Sequence, residues 1–231
     1  MCGRYTIIHN VEAIAERFGV SVPPYAIRSS YNVAPTDAVP IIISDGGRKE
    51  LLLAQWGLVP FWAKDREIGN RLINARAETL AEKASFKYAL SRRRCLIPSD
   101  GFYEWQSVDG IKQPYYIRMK SGELFAFAGL WETWESPDGS PLISCAIITV
   151  EPNTVVAPIH TRMPAILKPD DEPVWLFGSP SSSSRRGALE MDMLRLLRPY
   201  PPDAMAAYPV ARQVGNPAND TPTCIEPISL G

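Results

Sequence analysis

The sequence contains few of the residues that build metal centres and disulfide networks. Its 231 residues include only two histidines and four cysteines. The cysteines show neither a close pair nor the His spacing that is typical of zinc sites; they are Cys2, Cys95, Cys145 and Cys224. We therefore expect reduced thiols, no metal site and no bound cofactor.

Long apolar runs and an excess of charge of either sign are also missing. No stretch approaches 18 consecutive apolar residues, and the amino terminus lacks the basic-then-apolar pattern of a secretory signal. The formal net charge is −1, which argues against a protein that coats nucleic acid through bulk charge. We expect a soluble, cytoplasmic protein without a membrane partner, and a local basic groove remains open. The run Arg92-Arg93-Arg94 is interpreted as a solvated face.

What the chain does contain is enough apolar sequence, 45% of its residues, to bury a substantial core. Asn10 followed by Val11, Ile14 and Phe18, then Gly19, predicts a capped amphipathic helix. Two β-rich runs, 39–44 and 49–54, flank Asp45-Gly46-Gly47 and predict a hairpin. Residues 78–90 have helical composition, and further strands are predicted over 95–98, 101–106, 115–119, 124–130 and 142–150.

The later part of the chain changes character. Residues 179–184 (SPSSSS) predict a surface loop, and residues 188–197 predict a further helix that prolines then end. No repeat or linker divides the sequence, so we expect a single domain over 1–231. Its fold class is predicted to be α+β, with a mainly antiparallel sheet curled into a barrel- or sandwich-like core and helices around the outside.

The second residue of the chain is a cysteine, so removal of Met1 would leave an α-amine and a thiol on one residue. Their ordinary pKa values, roughly 7.7–8.0 and 8.5, make both groups reactive near neutral pH. Together they can capture an aldehyde as a Schiff base and then as a thiazolidine. Alternatively, the amine can act as the base for the thiol. The competing interpretation is that Cys2 has no chemical role.

Three other polar residues stand in apolar or glycine-rich surroundings. Asn74 precedes the predicted helix and is either a functional amide or a turn residue. Strand alternation in residues 101–105 puts Phe102 and Glu104 on one face, where burial would raise the pKa of Glu104 and suit it to proton transfer. His160 lies in a proline-bounded loop and can shuttle protons near pH 7. The alternatives are a solvent-facing glutamate and a structural histidine.

Aromatic residues surround glycine and proline in Trp56-Gly57-Leu58-Val59-Pro60-Phe61-Trp62. We assign Trp56 to the core and Trp62 to the surface, because a polar segment follows Trp62. Exposed rings on a loop can stack with unpaired bases.

These segments together resemble the SOS-response-associated peptidase family, also described as abasic-site processing proteins. The resemblance covers almost the whole chain in family order. Its blocks are Met1-Cys2-Gly3-Arg4, Tyr31-Asn32-Val33-Ala34-Pro35, Trp56-Gly57-Leu58-Val59-Pro60, Asn74-Ala75-Arg76-Ala77-Glu78-Thr79, Arg94-Cys95-Leu96-Ile97-Pro98, Asp100-Gly101-Phe102-Tyr103-Glu104-Trp105, Ala128-Gly129-Leu130-Trp131 and His160-Thr161-Arg162-Met163-Pro164. Two departures are Phe61, where smaller residues are common, and Thr161, where an acidic residue is frequent.

The resemblance implies a DNA-associated monomer that senses abasic sites in single-stranded DNA during the damage response. It implies covalent capture of the sugar aldehyde by Cys2, with catalytic roles for Asn74, Glu104 and His160. It also implies DNA contacts by Arg4, Asn32, Trp62, Arg76 and Arg162. A thiol autopeptidase or lyase-type activity is expected to accompany the capture. Two rivals stay open: a cysteine peptidase that chiefly removes its own Met1, and an amino-terminal-nucleophile amidohydrolase. A noncatalytic DNA-binding module is a third.

Overall fold

The computed structural model describes residues 2–178 and 192–230, and it shows an α+β fold built on two sheets. The helices are α1 (Val11–Phe18), α2 (Ala84–Arg92) and α3 (Asp171–Phe177), and residues 192–196 are also helical. The strands are β1 (Arg4–Ile7), β2 (Ser30–Val33), β3 (Ala38–Asp45), β4 (Arg48–Trp56), β5 (Asn74–Arg76), β6 (Arg94–Ser99), β7 (Gly101–Val108), β8 (Ile111–Met119), β9 (Phe125–Glu135), β10 (Pro141–Val150), β11 (Met163–Pro164), β12 (Ile166–Leu167) and β13 (Met205–Pro209).

A closed barrel forms the centre of the larger sheet. Strand β3 pairs with β4 and β6, β9 pairs with β6 and β10, and β10 returns to β4. Closure leaves no open edge among these five strands and encloses a core of aliphatic and aromatic side chains. The predicted α+β class with a barrel-like core is therefore confirmed.

The second sheet has five strands in the order β13-β8-β7-β1-β2. Tyr5 of β1 packs edge-on against Trp56 and Phe127, with ring centroids 5.2 and 5.6 Å apart. These aromatic contacts join the smaller sheet to the barrel. The residues just before β1 and those along β7 consequently lie close to the barrel strands.

Local sequence signals account for several of the elements. Asn10 caps α1 by accepting a hydrogen bond from the Ala13 N–H, and Gly19 ends the helix in the left-handed region at φ 64°. Gly46 and Gly47 have φ values of 53° and 81°, which the tight turn between β3 and β4 requires. The helix and the hairpin are both confirmed.

The structure corrects three details. The helix expected over 78–90 begins only at Ala84, because residues 77–79 form a 3-10 turn and Lys83 is extended. Strand β10 pairs in parallel with β4 and β5, although the other pairings are antiparallel. Arg94 is buried and donates to the carbonyls of Leu90 and Trp175, so the arginine run is not simply a solvated face.

Part of the sequence falls outside the described residues. The predicted loop over 179–184 lies there, as do the first residues of the helix predicted over 188–197. Among the residues that are described, no helix is long and apolar enough to cross a membrane.

Candidate functional site

Four separate segments bring the sequence-predicted catalytic residues together. Cys2 precedes β1, and Arg4 of β1 pairs with Tyr103 of β7, which places the amino-terminal segment alongside Glu104. Asn74 begins β5, which runs beside β10, and His160 lies in the loop that follows β10. The site therefore depends on the packing of both sheets rather than on one contiguous segment.

Asn74 contacts the amino-terminal segment directly. Its Nδ2 donates a 2.7 Å hydrogen bond to the carbonyl oxygen of Cys2. Its Oδ1 is buried, and no described group donates to it. A buried acceptor without a donor costs free energy unless a ligand or water satisfies it. The amide thus fixes Cys2 on one side and offers a hydrogen-bond acceptor on the other.

Cys2 itself is fully buried. Burial raises the pKa of its thiol well above the ordinary value, and the negative charge of Glu104 raises it further. The Sγ lies 3.8 Å from the carbonyl oxygen of Arg4. The thiol is consequently held as the protonated form and needs a base before it can act as a nucleophile.

Glu104 is the buried carboxyl group of the site, with 2% of its surface exposed. Burial raises its pKa from 4.5 to about 7. The predicted alternation is confirmed, because Phe102 belongs to the main core while Tyr103 and Trp105 belong to a second cluster. A carboxyl group with a pKa near neutrality can both accept and return a proton.

His160 lies against Glu104. Its Nδ1 is 3.7 Å from Oε2 of Glu104 and accepts a 3.0 Å hydrogen bond from the backbone N–H of Arg162. Burial lowers the pKa of the imidazole below its usual value. An acceptor role for Nδ1 corresponds to the neutral tautomer protonated at Nε2.

The side chain of Arg162 is held by an ion pair that the sequence did not reveal. Its guanidinium donates to both carboxylate oxygens of Glu78, at 2.7 and 3.0 Å, and to the carbonyl of Thr149 at 2.7 Å. The ion pair lowers the pKa of Glu78. No sequence pattern signals this contact, because the two residues are 84 positions apart.

Two of the residues expected to contact DNA lie together against the carboxyl-terminal segment. Arg4 donates to Oδ1 of Asn32 at 2.8 Å and to the carbonyls of Val214 and Gly215. Asn32 is buried, and its Nδ2 donates to the carbonyls of Val214, Asn216 and Asn219. In this arrangement both side chains join the amino- and carboxyl-terminal parts of the chain.

Of the other three expected contacts, Arg162 is described above, and Arg76 and Trp62 are on the surface. Arg76 ends β5, two residues after Asn74, and is exposed. Trp62 has 48% of its surface exposed, whereas Trp56 is fully buried and donates from Nε1 to the carbonyl of Ile73. The assignments of Trp56 to the core and Trp62 to the surface are confirmed. No group of three or more potential metal ligands occurs within residues 2–178 and 192–230.

The barrel and the cluster of Cys2, Asn74, Glu104 and His160 define a class of protein with a buried thiol beside a carboxyl–imidazole pair. The family described as SOS response associated peptidase (SRAP) matches residues 1–217, and the chain belongs to that family.

Named relatives and a solved structure agree with this membership. The chain is 46% identical over 230 residues to the abasic site processing protein YoqW of Bacillus subtilis, covering 98% of this chain and 99% of that protein. It is 34% identical to the abasic site processing protein HMCES of Gallus gallus, covering 88% of this chain and 68% of the relative. A crystal structure from Bacteroides thetaiotaomicron, 28% identical, superposes with a TM-score of 0.85 and covers 99% of this chain.

Proposed function

We propose that this protein processes abasic sites by capturing them covalently in single-stranded DNA through Cys2. The observation that carries the proposal is that the Asn74 amide binds the carbonyl oxygen of Cys2, while the Glu104 carboxyl group lies near enough to raise the pKa of the Cys2 thiol. Relatives of nearly the same length as this chain bear the name abasic site processing protein, which supports the same substrate here.

The chemistry begins once Met1 has been removed and the α-amine of Cys2 is free. The amine attacks C1′ of the ring-opened sugar aldehyde and forms a carbinolamine, which loses water to give a Schiff base. The thiol then adds to the same carbon, and its proton passes to the nitrogen. Two bonds to C1′ form, one water leaves, and no oxidant or reductant is required.

Glu104 has the properties that the proton transfers demand. With a pKa of about 7, it is present in both protonation states near neutral pH. As an acid it can donate to the sugar ring oxygen during opening and to the departing hydroxyl of the carbinolamine. As a base it can take the proton from the Cys2 thiol, whose raised pKa makes that step necessary.

Asn74 and His160 support these steps from two sides. The unsatisfied Oδ1 of Asn74 can accept a hydrogen bond from the Cys2 amine and orient its lone pair toward the aldehyde. Neutral His160 can relay a proton between Glu104 and solvent once its Nδ1, which lies 3.7 Å from Oε2 of Glu104 and accepts from the Arg162 N–H, approaches Glu104 to hydrogen-bond distance.

Phosphate contacts are assigned to arginines at the rim of the site. Arg76 is exposed next to Asn74 and can reach a phosphate directly. Arg162 shares its guanidinium with Glu78, so a phosphate there must share or replace that partner. Arg4 and Asn32 act by shaping the carboxyl-terminal segment, and Trp62 offers an exposed ring for base stacking.

Intact mass spectrometry under denaturing conditions tests the proposal. The purified protein is incubated with single-stranded DNA that carries one abasic site, without a reducing agent. We expect loss of Met1 and one DNA adduct at a mass lower by one water than the sum of protein and DNA. The Cys2→Ala variant should give no stable adduct, because a Schiff base alone hydrolyses.

Cys224→Ala is the matched control, since this cysteine is also buried but packs in the second cluster. It should capture DNA as the wild type does. A wild-type protein that lacks Met1 and still forms no adduct would contradict covalent capture and favour the peptidase or amidohydrolase alternatives. Full capture by Cys2→Ala would remove the thiol from the mechanism.

A further inference from the structure

A cavity lies between helix α1 and the turn that joins β8 to β9, and we name it the α1 cavity. Its volume is about 620 Å³, which falls in the range of small-molecule sites, roughly 300–1,000 Å³. The buried residues of its lining are all apolar: Met119, Leu124, Phe125 and Leu167. The cavity therefore offers an apolar surface to a ligand of modest size.

The α1 cavity is separate from the residues of the capture site. Cys2 precedes β1, whereas His9, which lines the cavity, follows the same strand. The cavity and the thiol thus lie at opposite ends of β1. Asn74, Glu104 and the other residues assigned to capture do not line it. A ligand held here would leave the chemistry of Cys2 untouched.

The two basic side chains of the lining are already paired with carboxylates. Arg17 donates to both oxygens of the buried Glu172, at 3.1 and 2.7 Å. His9 bonds through Nδ1 to the Asp100 carboxylate. Lysines 120 and 168 neighbour lining residues in the sequence but do not line the cavity. The positive groups of the lining are therefore committed to partners within the protein.

Two acidic side chains of the lining have no such partner. Glu16 lies on α1 and Glu123 lies in the turn between β8 and β9, and both are exposed. Among the residues that the structure describes, no Lys, Arg or His forms an ion pair with either carboxylate. A ligand therefore meets two uncompensated negative charges, one from each side of an apolar cavity.

We propose that the α1 cavity binds an aliphatic diamine or polyamine, whose ammonium groups pair with Glu16 and Glu123. Its methylene chain lies against the apolar lining, where burial of apolar surface is favourable. The aromatic lining residues Phe125 and Tyr200 suit the same ligand, because an ammonium group is attracted to the face of an aromatic ring. An anion would be repelled by both carboxylates, and a neutral molecule would gain nothing from them.

Isothermal titration calorimetry with cadaverine, a five-carbon diamine, tests the proposal in the absence of DNA. The titration is made at low ionic strength, where exposed ion pairs are least screened. We expect saturable binding to one site. Glu16→Gln and Glu123→Gln should each weaken it about fivefold, the upper end for the loss of an exposed ion pair. The amino alcohol of the same chain length should bind the wild type more weakly than the diamine.

The matched controls are Glu12→Gln on α1 and Glu135→Gln on β9, which remove the same charge from exposed positions outside the cavity. Both should bind cadaverine as the wild type does. Equal weakening in the controls would show diffuse attraction to the net charge and would overturn the proposal. The absence of saturable binding, or equal affinity for the amino alcohol, would overturn it as well.

The Cys2→Ala variant separates this proposal from the proposed function. It should bind cadaverine with unchanged affinity, because the α1 cavity does not include the thiol. Weaker binding in Cys2→Ala would place the diamine at the capture site and exclude the α1 cavity. Failure of the wild type to capture abasic DNA would leave the diamine site standing.

Discussion

Burial alone gives Glu104 the protonation behaviour that its proposed role needs. The carboxyl group lies on the core-facing side of β7, where desolvation raises its pKa to about 7. The same burial makes the Cys2 thiol harder to ionise and His160 harder to protonate. The three groups are thus all biased toward their neutral forms. A proton passed from the thiol to the ionised form of Glu104 moves one negative charge and creates no second one.

Replacing Glu104 by glutamine should change the pH dependence of capture. The wild-type rate is expected to show an inflection near pH 7 from Glu104 and another from the Cys2 amine at higher pH. Glu104→Gln should slow capture at least tenfold and remove only the inflection near pH 7. Single-turnover capture rates measured from pH 5 to 9 check this expectation.

Stability provides a second readout of the same group. Because the native carboxyl has a raised pKa, the folded state binds more protons than the unfolded state between about pH 4.5 and 7. The contribution of Glu104 to the free energy of unfolding therefore falls as the pH rises through that window, by up to about 3 kcal/mol. Glu104→Gln should abolish this fall in urea unfolding. The same fall in the variant would show that another group causes it.

The chemistry of individual residues was sufficient to predict several candidate site residues from the sequence. It did not predict which polar groups pair with the arginines. An amino-terminal cysteine and a glutamate among aromatics can be recognised from their neighbours alone. The pairing of Arg162 with Glu78 and that of Arg4 with Asn32 are tertiary, and nothing in the local sequence predicts them. The polar partner of an arginine is set by folding, so its availability to DNA cannot be inferred from sequence.

At the scale of elements, the predictable parts are those with local capping or turn signals. Helix α1 and the β3–β4 hairpin carry such signals and were predicted with nearly their observed bounds. Strand β5 was missed because it has three residues and its partner, β10, lies about 70 residues later. Non-local parallel pairing of this kind is invisible to periodicity, although it positions Asn74.

Two glycines, Gly57 and Gly69, allow a close backbone approach within the connection between β4 and β5. Gly57 has a φ of 132°, and a Cβ there would lie 2.8 Å from the carbonyl oxygen of Gly69. Gly57→Ala should therefore lower the free energy of unfolding by about 3 kcal/mol, since it combines backbone strain with a clash. Thermal and urea unfolding measure the effect.

Gly139→Ala is the control for Gly57→Ala. Gly139 also has a positive φ, 84°, but a Cβ added there would meet no atom within 4 Å. The substitution should cost only about 1 kcal/mol, the share due to backbone conformation. Equal losses for the two variants would show that contact between Gly57 and Gly69 contributes nothing.

At the scale of the whole molecule, two kinds of contact join segments that are distant in sequence. One closes the barrel, and the other links an early segment of the chain to a late one. Strands β4 and β10 close the barrel. Asn32 and Arg4 bind the backbone of residues 214–219. The predicted single-domain organisation remains a prediction, and these contacts suit it because they link early and late parts of the chain.

Asn32→Ala tests this link between the two ends. The substitution removes the donor to three carbonyls and the acceptor for Arg4. Because Asn32 is buried, we expect the free energy of unfolding to fall by about 3 kcal/mol. Asn70→Ala, at an exposed position, should change it by less than about 0.5 kcal/mol. Normal stability in Asn32→Ala, with weaker DNA binding, would instead favour a direct DNA contact.

The seclusion of Cys2 also bears on how long a reactive thiol survives in a cell. Peroxides and soluble electrophiles attack thiolates that they can reach, and this sulfur is neither ionised nor accessible. The Cys2 sulfur should therefore react slowly with the oxidants and small aldehydes that are present in a cell. Under the proposed function, selectivity then comes from which electrophile is delivered to the thiol, and the nucleophile stays chemically intact between encounters with abasic sites.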